Sequence, residues 1–164
     1  MTDNNTPSKG LTTSVSRVIN APRHAVYQAF LDEDAVASWL APDTMKGEVH
    51  AFDPREGGII RMSLTYPNIE ETPDGKGGKS SDNTDTFQGT FGELIPNEKV
   101  VWLTEFESSD PAFAGEMKLT WSFEDADGGT QVTVLCENIP LGIRPEDNEV
   151  GSRSSLEKLA RFLE

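Results

Sequence analysis

The chain has 164 residues, the size of one domain with a self-sufficient core that buries about 70% of its unfolded surface. Its 14 basic and 28 acidic residues leave a formal charge of −14, which repels phosphate backbones and anionic lipid headgroups and argues against nucleic acid or membrane partners. Apolar runs such as Val100-Val101-Trp102-Leu103 fall far short of the ~20 residues needed to cross a bilayer, and a lone Cys136 with no leader-like start points to a reduced, cytoplasmic protein.

Residues 1–11 are polar, with nothing large enough to offset the entropy of ordering, and read as a flexible tail before a single domain over 12–164. From Thr13, Val15 and Ile19 recur at even spacing, and the strand runs into Ala21-Pro22, where proline suits a first helical turn. That helix, from Pro22 to about Leu31, sets Val26, Ala29 and Phe30 at i, i+3, i+4. A second, Asp32 to Leu40, opens with acids and stops before Pro42. Glu48 to Phe52 and Ile59 to Tyr66 flank Asp53-Pro54-Arg55-Glu56-Gly57-Gly58 and form a hairpin.

Pro67 to Thr84, rich in Pro, Gly, Asn, Asp, Ser and Thr, is a long connection that reads as a lid or a disordered loop. Four alternating segments follow, Thr86 to Leu94, Lys99 to Glu107, Glu116 to Glu124 and Thr130 to Asn138, separated by turn residues: an antiparallel meander. From Pro145 a long terminal helix carries acids at its start and an apolar stripe of Leu156, Leu159, Ala160 and Leu163.

This β-α-α-β-β-β-β-β-β-α order comes with V-I-N-A-P-R-H-A-V-Y-Q-A-F, Trp39, D-P-R-E-G-G, F-Q-G-T-F-G-E-L-I-P and T-W-S-F-E-D-A-D-G-G-T-Q-V-T-V. Together they resemble the SRPBCC (START or Bet v 1-like) superfamily, in the branch similar to the C-terminal domain of the activator of the ninety-kilodalton heat-shock chaperone ATPase. The resemblance covers about Val15 to Leu163. It implies an α+β helix-grip fold: a curved antiparallel sheet of about seven strands around a long C-terminal helix, with a cavity between them. It also implies three roles: a carrier of a small hydrophobic or aromatic ligand, a cyclase-like, aromatase-like or hydrolase-like enzyme, or a stress-related protein contacting a chaperone.

Residue patterns place the cavity. Period-two alternation assigns Met62, Leu64 and Tyr66 to one face, and with them Phe87 and Phe91, Trp102, Thr104 and Phe106, Met117, Leu119, Trp121 and Phe123, and Val132, Val134 and Cys136. The helix above begins with small groups, Gly151, Ser152, Ser154 and Ser155, which leaves room for a pocket of roughly 300 to 1,000 Å³. The candidate ligand-binding residues are therefore Trp39, Met62, Tyr66, Phe87, Phe91, Trp102, Thr104, Phe106, Met117, Leu119, Trp121, Gly151 and Ser155, with Trp102 and Trp121 ranked above Trp39 because their strands run through the middle of the sheet.

Catalytic chemistry finds less to stand on. Two distant histidines, His24 and His50, with Cys136 form no metal-ligand spacing, and no nucleophile motif is present, so no metal, cofactor or catalytic residue is expected. Glu105 and Glu137, the carboxylates considered for acid-base work, fall on the opposite face by alternation, and apart from an uncertain register of Arg17, Arg61 or Glu105 no ionisable residue faces the pocket. The acids Glu146, Asp147 and Glu149 read as compensation of the helix dipole. A monomer and a homodimer are both compatible with the sequence.

Overall fold

The structure is a computed structural model that describes residues 11–41, 45–67 and 84–164. Strand β1 (Leu11–Ile19) leads into helices α1 (Arg23–Ala29) and α2 (Glu33–Trp39). Six strands follow, β2 (Lys46–Phe52), β3 (Ile59–Thr65), β4 (Thr84–Ile95), β5 (Lys99–Phe106), β6 (Met117–Ala126) and β7 (Gly129–Ile139), then helix α3 (Pro145–Leu163). All pairings are antiparallel and the sheet order is β1-β7-β6-β5-β4-β3-β2, the helix-grip arrangement. β2 to β7 form the expected meander, while β1 closes onto the last strand.

Among the boundaries that differ from the sequence reading, two bear on the site and its closure. β1 begins at Leu11, two residues before Thr13, because Leu11 still pairs with Ile139. β4 begins at Thr84 and brings Thr84 and Asp85 into register with Thr65 and Leu64. The rest of the expected tail and nearly all of the expected 67–84 loop lie outside the described residues.

Local chemistry sets the connections. Pro22 stands extended just before α1, and the buried Thr130 hydroxyl donates to the Ala21 carbonyl at 2.7 Å, pinning this strand-to-helix corner to β7. The Asp32 carboxylate caps α2 by accepting from the Asp34 and Ala35 amides at 3.0 and 3.3 Å. In the β2–β3 turn Gly57 has φ +83°, a conformation that favours glycine. In β4, Gly89 lies so close to β5 that a Cβ would stand 1.8 Å from the Leu103 carbonyl oxygen, and the β4–β5 register shifts between Phe91 and Leu94. A side chain missing at one point and a bulge a few residues on both favour bending in the middle of the sheet.

Cross-strand pairing carries the apolar residues in transverse rows, Cys136 opposite Leu119, Leu119 opposite Trp102, Trp102 opposite Phe91. Phe30 of the α1–α2 corner sits at the centre of the core, with ring centroids 4.7 Å from Trp39, 5.0 Å from Trp121, 5.3 Å from Phe123 and 6.1 Å from Trp102. Tilted and edge-on geometries of this kind are worth about 0.5–1.5 kcal/mol per pair beyond buried area. Helix α3 packs against β1, β7 and α2. Leu156, Leu159 and Ala160 bury its C-terminal half, and in the same half the Ser155 hydroxyl donates to the Leu40 carbonyl at 2.5 Å and the Lys158 ammonium to the Ala41 carbonyl at 2.7 Å.

Candidate functional site

Where the small residues of α3 pass over the sheet, a cavity of about 190 Å³ remains. Its sheet side is Leu64 and Tyr66 from the β3 end, Asp85 and Phe87 from β4, Trp102, Thr104 and Phe106 from β5, Met117, Leu119 and Trp121 from β6, and Cys136 from β7. Leu40 and Met45 close the α2 side. Ile143, Asp147, Asn148, Gly151, Ser152 and Ser155 form the helix side. Trp102, Thr104, Trp121, Cys136 and Ser155 are buried; Tyr66, Phe106, Leu119 and Gly151 are half-buried and mark the rim.

Of the candidates named from sequence, Tyr66, Phe87, Trp102, Thr104, Phe106, Met117, Leu119, Trp121, Gly151 and Ser155 are brought together here. Trp39, Met62 and Phe91 are not. Trp39 stands behind Trp121, centroids 5.5 Å apart, with its indole N–H donating to the Ala29 carbonyl at 3.0 Å. Phe91 packs edge-on against Phe52 at 5.5 Å, and Met62 is wholly buried. Alternation chooses a face but does not say how far along it the space extends, and here the α1–α2 side of the concave face is filled by protein. The volume is correspondingly below the expected 300 Å³.

Sequence reasoning missed the polar lining. Asp85 is 3% exposed and stands opposite Leu64 on the concave face. It lies two residues before Phe87, so alternation would have found it had the strand been started earlier. Asp147 and Asn148 also line the cavity, although acids in a first helical turn ordinarily read as dipole partners. Asp147 takes the Arg144 guanidinium at 3.1 and 3.2 Å, and Asn148 accepts from the Thr13 hydroxyl at 2.5 Å. The expectation that no ionisable group faces the pocket is thus corrected. Of the residues weighed for that role, Glu105 and Arg17 are exposed, and Arg61 forms a two-pronged pair with Glu107 at 2.6 and 2.9 Å, away from the cavity.

The environment sets the protonation of two lining groups. Burial, reinforced by the Asp85 and Asp147 carboxylates, pushes the Tyr66 phenol up to about 12. Burial also raises the Cys136 thiol, against hydrogen bonds from Thr13, Ser152 and Asn148 that lower it. Both groups hold their protons near neutrality, which makes Cys136 a poor nucleophile. No His, Lys or Arg is among the described lining residues, and no three His, Cys, Asp or Glu of the described residues are arranged to hold a metal ion. His24 is exposed, and His50 hydrogen-bonds Ser63 at 2.7 Å outside the cavity.

The indole nitrogens of Trp102 and Trp121 are buried with no hydrogen-bond partner, in contrast to Trp39. More than about 90% of buried polar groups are partnered in native proteins, and each one left over costs roughly 1–3 kcal/mol. Both residues line the cavity with other parts of their rings, while the two nitrogens themselves are closed off from it.

A helix-grip domain with a mainly apolar cavity under its terminal helix is the class defined by these features. A family model described as "Activator of Hsp90 ATPase homolog 1-like protein" matches residues 20–164, and the chain belongs to that family. A protein from Chromobacterium violaceum of known crystal structure is 30% identical over 93% of this chain and 96% of its own, with a TM-score of 0.79. An AHSA1-like protein from Aeromonas hydrophila, solved in solution, is 19% identical over 93% and 91% of the two chains at a TM-score of 0.68, a likeness of fold. A protein in the dynemicin biosynthetic locus shares the fold at 18% identity and a TM-score of 0.61, and this chain spans 48% of its length. No curated protein matches the sequence. No helix among the described residues is long and apolar enough to cross a membrane.

Proposed function

We propose that the protein binds a small hydrophobic or aromatic molecule in the cavity between sheet and terminal helix. The observation that carries this reading is the cavity itself, 190 Å³ walled by Trp102, Trp121, Phe87 and Met117. An engineered apolar cavity of about 150 Å³ in another protein admits benzene, so a single substituted ring or a short chain is the size that fits. Native mass spectrometry of protein purified without detergent, followed by solvent extraction, tests it. An adduct that recurs between preparations and disappears in Gly151→Leu is the expected outcome. An empty protein that also takes up no ring-sized probe refutes the reading.

One observation favours a second reading, an enzyme using the same cavity: Asp85 supplies a buried carboxylate within reach of a bound molecule. The structural neighbour in a biosynthetic locus is in keeping with this. If extracted ligand is turned over by wild type and not by Asp85→Asn, the enzyme reading replaces that of a carrier. A chaperone contact follows from the family description alone. ATP hydrolysis by a purified ninety-kilodalton chaperone, unchanged at excess of this protein, would remove it.

A further inference from the structure

Helix α3 has two unlike halves. From 145 to 154 no residue is buried, whereas Ser155, Leu156, Leu159 and Ala160 are at most 4% exposed. The helix starts without a side-chain cap. Its middle reads Gly151-Ser152-Arg153-Ser154-Ser155, and glycine and serine are poorer helix formers than the Leu, Lys, Ala and Arg that follow. Little burial and weak helix formers place a segment at the low end of local stability.

This weaker half is fixed at both ends. Before it, the Gly142 amide donates to the Ala112 carbonyl at 2.7 Å, and a Cβ on Gly142 would stand 2.8 Å from Ala112, so the chain is held there against the short helix Pro111–Phe113. After it, Ser155 is tied to the end of α2. Between these points lie Ile143, Asp147, Asn148, Gly151 and Ser152, the helix side of the cavity other than Ser155 itself. The tie from this segment to the sheet is the Thr13 hydroxyl, 5% exposed, which donates to Asn148 at 2.5 Å. Cys136, opposite Thr13 in the sheet, hydrogen-bonds with Asn148 and Ser152 from below.

The inner wall calls for such a movable part. Trp102, Trp121 and Cys136 line the cavity yet are only 1–2% exposed. A wall that water scarcely touches is not reached by a ring through a fixed rim.

Building on the small-molecule reading above, we propose that residues 143–154 are a gate: the segment lifts from the sheet between Gly142 and Ser155, the Thr13–Asn148 hydrogen bond is its latch, and its opening admits the ligand. Leu156, Leu159 and Ala160 keep the rest of α3 seated, so the domain stays folded while the gate is open.

Cys136 lies under the gate and reports on it. Labelling by a thiol reagent through a local opening hardly changes with urea below the unfolding transition, whereas labelling through global unfolding rises steeply from the first addition. A flat dependence is expected. Thr13→Val removes the latch donor and should speed labelling about two- to tenfold, and Gly151→Ala strengthens the helix and should slow it about fivefold. In hydrogen exchange of the wild type, the amides of 147–154 should exchange faster than those of 156–163, and Thr13→Val should widen the gap. The wild-type measurements stand even if a variant fails to fold.

Labelling that tracks global unfolding, or equal exchange in the two halves of α3, overturns the gate. Toluene near its solubility limit should slow labelling by holding the gate shut. Local opening that toluene leaves unchanged supports the gate and counts against the small-molecule reading on which its purpose rests.

Discussion

Ser155→Ala tests what holds the helix above the cavity. Ser155 is 4% exposed, and its hydroxyl gives the Leu40 carbonyl a donor at 2.5 Å just where α2 ends. Removing the hydroxyl leaves a buried carbonyl without that donor, a loss of about 1–3 kcal/mol, and because the exchange removes one oxygen the cavity term is small. For a domain of this size about 1 kcal/mol lowers Tm by roughly 2–4 °C, so a fall of about 2–12 °C is expected in a thermal melt followed by circular dichroism. Ser16→Ala is the control: Ser16 hydrogen-bonds Thr133 at 2.7 Å on an exposed face and should change stability by under about 0.5 kcal/mol. Urea titrations give the two free energies directly. If the two variants lose the same amount, the clasp between α2 and α3 contributes nothing, and the reasoning that a polar tie to the end of α2 helps to hold α3 is wrong.

Three further outcomes are expected. Gly89→Ala should destabilise by at least about 2 kcal/mol, since its Cβ would meet backbone, whereas Gly92→Ala, whose Cβ would meet the Val101 side chain at 3.0 Å, should cost less; equal values in urea would refute the close-approach argument. The Tyr66 phenol is raised in the folded state, so its contribution is present below the unfolded value of about 10 and is lost as pH climbs from 10 towards 12; Tyr66→Phe should flatten that alkaline decline, and an unchanged slope would contradict it. Cys136 is 1% exposed, so a thiol reagent should react with native protein slowly and with urea-unfolded protein at the rate of a free cysteine; fast native labelling would show that the cavity opens widely.

Much of the architecture was legible because strands here alternate cleanly. Val132, Val134 and Cys136 are all buried and their odd-numbered neighbours are not, a pattern only a one-sided strand explains. Turn chemistry at Asn97, which has φ +64°, and at Gly128 marked the hairpin ends. The site was legible in part. Alternation put Phe91 and Phe87 on one face with equal weight, and only the packing of Phe52 onto Phe91 separates core from cavity. Asp85 was lost at a strand boundary next to a polar segment, where residue pattern is weakest. Asp147 was visible but has a sufficient local explanation in the helix dipole and in Arg144, so its second position, against the cavity, needed the three-dimensional path of α3.

The placement of β1 bears on how the chain is made. This strand leaves the ribosome before the rest of the sheet, yet among the described strands its one neighbour is β7, with Thr13 opposite Cys136. At roughly 5–20 residues per second, the chain from Thr13 to Cys136 takes about 6–25 s to synthesise, during which Val15 and Ile19 have no sheet to cover them. The hairpins of β2 to β7 pair within short spans and can form during that time, whereas closing β1 onto β7 carries the entropy of a loop as long as most of the domain. Helix α3, which packs on β1, is still later. The cavity is therefore completed only after the sheet, and a nascent chain stalled before residue 145 lacks the helix side of the ligand's place.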